Sequence, residues 1–97
     1  MKICWSREAQ NNLLQIIDYI SQDSPARANA FARKIIASVN RLKAFPRMGR
    51  HVPELASEPV QPREMIVGNY RVIYQISTHT IEIVTVFHGT KQLKFYY

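Results

Sequence analysis

Glycine, cysteine and clustered acids are all scarce in this sequence of 97 residues. Its three glycines form no phosphate-binding glycine loop, and no His-Glu-x-x-His pattern occurs anywhere along the chain. The seven acids are scattered singly, whereas a divalent cation needs several carboxylate or carbonyl oxygens around it. We therefore expect a protein that uses no metal ion and no other cofactor.

The single cysteine, Cys4, has no second thiol to pair with, which excludes a disulfide framework and a cysteine-based metal site. Lys2 and Arg7 bring charge before any apolar stretch could serve as the core of a signal peptide. No other run approaches the length needed to span a membrane. These absences predict a protein of the reducing cytoplasm without a membrane partner. The length of 97 residues predicts one domain over residues 1–97, because two cores would each bury too little apolar surface.

Charge is the most unusual property of the sequence, because 13 basic residues outnumber seven acidic ones and leave a net charge of +6. No acid occurs between Asp23 and Glu54, a stretch that holds Arg27, Arg33, Lys34, Arg41, Lys43, Arg47 and Arg50. Any single one of these cations could simply solvate a helix face. Seven of them without one acid favour an acidic protein surface or a nucleic acid as partner.

Two amphipathic helices are predicted after a short first strand that alternates around Ile3 and Trp5. Ser6 is a suitable N-cap for the first helix, and Pro25 suits the first turn of the second. One side of the second helix is apolar, and the cations on roughly the opposite side are Arg33, Lys34 and Arg41. The two helices form an αα-hairpin whose apolar sides must be covered by a sheet or by another helix.

The segment 46–62 contains four prolines, which predicts an ordered but irregular crossover. Three segments rich in β-branched and aromatic residues follow, at Arg63 to Val67, Tyr70 to Ser77 and Thr80 to His88. The two residues Gly68-Asn69 suit a hairpin turn between the first two. The expected fold class is therefore α+β, with the order β-α-α-β-β-β and a two-helix hairpin packed on a mainly antiparallel sheet.

One set of side chains near the far end of this sheet could carry chemistry. Metal-free cleavage of RNA requires a base, a cation beside the phosphate and an acid for the leaving oxygen. His88 could be base or acid, Arg71 and Lys91 could hold phosphate, and a tyrosine could stack a base or donate a proton. The competing interpretation is structural, since a histidine at a strand end and tyrosines at a terminus commonly pack against a sheet.

The order and spacing of several short motifs resemble the ParE/RelE toxin superfamily of bacterial type II toxin–antitoxin systems. The similarity covers nearly the whole chain. It includes Trp5 and Ala9, the break at Asp23-Ser24-Pro25-Ala26, Leu42 with Pro46, Gly49 and Arg50, Pro53-Glu54-Leu55, Arg63-Glu64, Tyr70-Arg71-Val72-Ile73-Tyr74 and Val86-Phe87-His88-Gly89. The resemblance implies a growth-inhibitory toxin that an acidic antitoxin neutralises by covering the helical hairpin and the sheet in a hetero-oligomer.

The resemblance also implies one of two targets. ParE-like members poison DNA gyrase through protein contacts, and the helical hairpin here resembles that branch. RelE-like members are ribosome-dependent mRNA endonucleases, for which Arg71, His88, Lys91 and Tyr97 are the catalytic candidates. Lysine at position 91 removes the bidentate fork that an arginine would offer to phosphate. The residues expected to contact the target or the antitoxin are Arg33, Lys34, Arg41, Arg50, Arg63, Glu64 and Tyr74.

Overall fold

The computed structural model describes residues 1–55, 57 and 61–90. A first strand and a helical hairpin precede three longer strands, which confirms the predicted α+β fold and element order with one short strand added. The elements are β1 (Lys2–Trp5), α1 (Arg7–Asp23), α2 (Pro25–Asn40), β2 (Arg50–His51), β3 (Arg63–Val67), β4 (Tyr70–Ile76) and β5 (Thr80–His88), with 3-10 turns at Arg41–Lys43 and Pro53–Leu55.

Serine side chains cap both helices, which confirms Ser6 as the predicted N-cap of the first. The Ser6 hydroxyl accepts a hydrogen bond from the Ala9 N–H and donates one to the Val84 carbonyl at 2.7 Å. The Ser24 hydroxyl accepts from the Arg27 N–H at 3.1 Å, directly before a proline in the first turn. Each cap satisfies an N–H that the helix itself leaves unpaired, and Ser6 also ties α1 to β5.

The five strands form one sheet in the order β1-β5-β4-β3-β2. The outer strand β1 runs parallel to β5, and every other neighbouring pair is antiparallel. Gly68 has a φ of +60°, the left-handed conformation that a two-residue turn between β3 and β4 requires and that glycine adopts without strain. The hairpin predicted at Gly68-Asn69 is therefore confirmed.

The two helices cover one face of the sheet and make the main core. Ile35, Val39 and Leu42 pack against sheet residues that include Val72 and Ile83. The opposite face has a smaller core, in which the crossover residues Val52 and Leu55 cover Ile73 with help from Val84 and Phe87. The main core keeps the helices on the sheet, and the smaller core holds the crossover in place.

Part of the crossover is more regular than its prolines predicted. Arg50 pairs with Glu64 and His51 pairs with Arg63, so two residues of the expected irregular segment extend the sheet as β2. A two-residue strand carries no alternating pattern that a sequence reading could detect. Among the described residues, no helix is both long enough and apolar enough to cross a lipid bilayer.

Candidate functional site

A buried cluster of ion pairs lies on the face of the sheet that the helices do not cover. Glu64 on β3 accepts from Arg71 Nε and from Arg50 Nε, both at 2.6 Å. Arg71 also donates from its two terminal nitrogens to the Glu54 carboxylate, at 2.7 and 2.8 Å. The Glu64 side chain is fully buried and that of Arg71 is 8% exposed. Burial of these charges is tolerated because each has an opposite charge in hydrogen-bond contact.

Arg71 is held as a cation by this arrangement. Its hydrogen bonds to Glu54, followed by those to Glu64, raise the pKa of the guanidinium further above its usual range against the opposing effect of burial. The guanidinium carbon also lies 5.1 Å from the centre of the Phe87 ring. The planar fork that could grip a phosphate bidentately is thus already bonded to Glu54. An external phosphate would have to displace that carboxylate.

A second buried cluster fixes the loop that follows α2. The Tyr74 hydroxyl donates to the Pro46 carbonyl at 2.8 Å and accepts from the Gly49 N–H at 2.9 Å. Arg63 donates to the carbonyl oxygens of Gly49 and Arg47, at 2.7 and 3.3 Å. Burial raises the pKa of the Tyr74 phenol above its usual value, so the hydroxyl keeps its proton to a higher pH than an exposed tyrosine would.

His88 lies on the opposite face of the sheet from Arg71. Its ring meets that of Tyr70 edge-on at 5.4 Å between centroids, and its Nδ1 is 2.8 Å from the Thr90 hydroxyl. In the register of β4 and β5, Tyr70 is opposite His88, and Arg71 is opposite Phe87. Because successive residues of a strand point to opposite faces, Arg71 and His88 do not converge on one site.

An open basic cleft separates the helical hairpin from the turn between β3 and β4. The cleft has a volume of about 390 Å³. Phe31 and Tyr70 line it with ring centroids 5.1 Å apart, and Arg27 and Lys34 supply two cations. Arg27 was not among the predicted site residues. The signal was present, because seven residues make two helical turns and place Arg27 and Lys34 on the same side of α2.

The predicted partner-contacting residues fall into three groups by burial. Glu64 and Tyr74 are buried and bonded within the chain, so neither side chain is presented to a partner in this structure. Glu64 neutralises Arg71, and the Tyr74 hydroxyl accepts from the Gly49 N–H, so each is the partner of a group that would otherwise be buried without one. Arg63 is half-buried and bonded to the loop carbonyls. The exposed members are Arg33, Lys34, Arg41 and Arg50.

Two of the four catalytic candidates, Lys91 and Tyr97, lie outside the described residues. The other two, Arg71 and His88, are the pair that the sheet separates. No group of three or more histidine, cysteine, aspartate or glutamate side chains within residues 1–55, 57 and 61–90 is arranged to hold a metal ion. Among the residues that the structure describes, the site features are therefore ion pairs, a basic cleft and exposed cations.

Residues 3–93 match the family described as the ParE toxin of the type II toxin-antitoxin system, parDE. A relative named toxin RelE2, from Caulobacter vibrioides, is 27% identical over 90 residues, which cover 93% of this chain and 97% of that protein. A solved structure titled as the chromosomal ParDE TA system from P. aeruginosa shares the fold, with a TM-score of 0.73 and 21% identity over 91% of this chain and 95% of that one. The family match spans nearly the whole chain, and the chain therefore belongs to the ParE toxins of type II toxin–antitoxin systems.

Proposed function

We propose that this toxin arrests growth by inhibiting DNA gyrase through protein contacts, without cleaving RNA. The observation that carries the proposal is the placement of Arg71. Its guanidinium is bonded to Glu54 and Glu64, and it lies on the other face of the sheet from His88. The ParE branch, to which the family match points, is the branch for which the resemblance implies gyrase as target.

The separation of Arg71 from His88 matters because metal-free RNA cleavage needs several groups to act on the same phosphate. The base, the cation and the proton donor must all reach one phosphate, each within about 3 Å of the atom it serves. Groups on opposite faces of a sheet cannot meet that condition, because the backbone of the sheet lies between them. A protein-contact mechanism needs no such convergence and depends only on what the surface presents.

The second candidate function is a ribosome-dependent mRNA endonuclease. The observation that favours it is the 27% identity to the relative named RelE2. Within the described residues, His88 is the group best suited to take part, because its ring is half-buried at a strand end and its Nδ1 is within reach of the Thr90 hydroxyl. Lys91 and Tyr97 would have to complete such a site.

We also propose that the cognate antitoxin is acidic and fills the basic cleft. The cleft joins apolar walls from Ile20 and Phe31 to the cations Arg27 and Lys34. An acidic segment with one apolar side chain fits both features, and a flexible segment folds where a groove can receive it. The result is a toxin–antitoxin hetero-oligomer in the cytoplasm, where the proposed target is found.

A supercoiling assay with purified toxin and gyrase tests the proposed target. The toxin should stop the introduction of supercoils, and the His88→Ala variant should inhibit equally because the reaction involves no histidine chemistry. A parallel arm incubates translating ribosomes with toxin and maps transcript ends by primer extension. Codon-phased cuts that vanish in His88→Ala, together with fully active gyrase, would establish the endonuclease instead.

A further inference from the structure

The loop after α2 presents two large apolar side chains to solvent. Phe45 is 65% exposed and Met48 is 45% exposed, whereas the neighbouring Leu42 is fully buried. Side chains of this size lose favourable burial energy when they remain in water. Local flexibility would be the simplest explanation for their exposure, because a mobile loop cannot hold its side chains against the core.

The loop is instead held in one shape by the interior of the protein. The Phe45 N–H donates to the Arg41 carbonyl at 3.0 Å, and the Met48 N–H donates to the Phe45 carbonyl at 3.1 Å. The buried Tyr74 hydroxyl and the Arg63 guanidinium add the hydrogen bonds to the loop backbone described above. The exposed side chains are therefore displayed on a rigid frame.

Close packing under the loop strengthens this conclusion. A Cβ added to Gly49 would come within 2.4 Å of the Glu64 carbonyl oxygen and 2.6 Å of the Tyr74 hydroxyl. The backbone at Gly49 thus lies directly on the sheet, in a space that only glycine fits. A rigid display of apolar groups reduces the ordering cost of binding, which is how preorganised surfaces gain affinity.

The surroundings of the two apolar side chains are basic. The ten residues from 41 to 50 contain four cations and no acid. Arg41, Lys43 and Arg47 are exposed, and the Arg50 side chain is 66% exposed although its Nε is bonded to Glu64. An apolar centre with a charged rim is the usual anatomy of a protein-docking surface, in which aromatic anchors carry most of the binding energy.

We infer that Phe45 and Met48 are the anchors by which this toxin docks on its target, a folded protein with an apolar pocket inside an acidic surface. This inference rests on the proposed function and adds the surface that contacts gyrase. Projecting side chains on a rigid loop fit a pocket that already exists on a folded partner. A flexible antitoxin segment needs a groove to fold into, and the basic cleft offers one on another part of the surface.

Other occupants fit this surface, which we call the Phe45–Met48 loop, less well. A second copy of the toxin carries the same net charge of +6 and the same basic rim, so two loops would repel each other. An anionic lipid surface would accept cations with apolar side chains. Lipid binding would not need the fixed geometry that Tyr74, Arg63 and Gly49 provide, and it is included as an outcome of the test.

The test compares three purified full-length proteins in the gyrase supercoiling assay. They are the wild type, the double variant Phe45→Ser/Met48→Ser, and the control Leu14→Ser, whose side chain on α1 is as exposed as Phe45 at 65%. Loss of two anchors should raise the toxin concentration for half-inhibition about 30-fold. The control should stay within about twofold of the wild type.

Two further measurements accompany the assay. The melting temperature should fall only slightly in the double variant, because Phe45 is largely in solvent and Met48 is about half exposed. The affinity for the antitoxin should be unchanged, because neither residue lines the cleft. Vesicles containing about one-third phosphatidylglycerol serve as the lipid probe, and wild type and double variant should bind them equally weakly.

The outcomes separate this inference from the proposed function. Wild-type inhibition that the double variant matches would overturn the Phe45–Met48 loop as the docking surface and leave gyrase as the target. If the double variant loses vesicle binding but still inhibits gyrase fully, the Phe45–Met48 loop binds lipid and is not the surface that docks on gyrase. A wild type that does not inhibit gyrase would refute both the proposed function and the docking surface.

Discussion

Glu64→Gln should be among the most destabilising substitutions of a charged residue in this toxin. Glu64 is completely buried and accepts hydrogen bonds from both Arg71 and Arg50 at 2.6 Å. Glutamine keeps the shape but removes the charge and turns one acceptor into a donor that faces a guanidinium. Removing one partner of a buried ion pair costs about 3–5 kcal/mol.

The cost should fall at the lower end of that range, about 3 kcal/mol, because Glu54 continues to neutralise Arg71. The Glu54 side chain is 25% exposed, so its own replacement by glutamine leaves water as a partial substitute and should cost only about 1 kcal/mol. Arg50→Ala should cost less than about 1 kcal/mol, because the Arg50 side chain is largely in solvent.

Urea unfolding followed by circular dichroism at pH 7 measures all three variants on one scale. The predicted order of destabilisation is Glu64→Gln, then Glu54→Gln, then Arg50→Ala. The dependence of the unfolding free energy on urea concentration should be the same as in the wild type, so that differences in the urea midpoint report differences in stability. If Glu64→Gln proves as mild as Arg50→Ala, the cluster is not a buried structural unit, and the structural assignment of Arg71 fails with it.

Three further predictions concern the loop, the tyrosine beneath it and the antitoxin. Gly49→Ala should cost about 1–3 kcal/mol in the same urea experiment, since its methyl group would overlap the Glu64 carbonyl oxygen and the Tyr74 hydroxyl; a neutral effect would contradict the close packing. Tyr74→Phe should cost about 2 kcal/mol at pH 7, because the Gly49 N–H and the Pro46 carbonyl lose their partner. The folded-state pKa of Tyr74 is raised above 10.0 by burial, so the stability that Tyr74 contributes is present below pH 10 and is lost as the pH rises through the folded pKa. Above pH 10 the wild type should therefore lose stability more steeply than Tyr74→Phe. Equal slopes of stability against pH in the two proteins would contradict this. Antitoxin affinity measured by calorimetry should fall as salt is raised from 50 to 500 mM. The fall should be smaller for Lys34→Gln than for the wild type. An affinity that does not change with salt would show that the cleft cations play no part in binding.

The order of elements could be predicted from the sequence because each signal acts over a short distance. Ser6 and Ser24 stand next to the helices they cap, and Gly68-Asn69 supplies its own turn. Alternation and helical periodicity are likewise local. The parallel pairing of β1 with β5 joins residues nearly 80 positions apart, so no local signal could predict it.

The candidate site was less predictable, because side-chain roles depend on contacts across the sheet. Spacing along the chain grouped Arg71 with His88, but the strand register assigns them to opposite faces. Glu64 and Tyr74 were expected to contact the target or the antitoxin, but both are buried and bonded to groups within the chain. Exposed cations were easier to predict, because Arg33, Lys34 and Arg41 follow directly from the periodicity of the second helix.

We propose that this ParE-family toxin acts on DNA gyrase and not on messenger RNA. Induction of the toxin in cells without the antitoxin, with plasmid topology and transcript ends sampled every few minutes, tests this proposal. If gyrase is the target, plasmids should relax or break before growth stops, while transcripts remain intact. Transcripts cut in phase with codons, on plasmids that stay normally supercoiled, would contradict it.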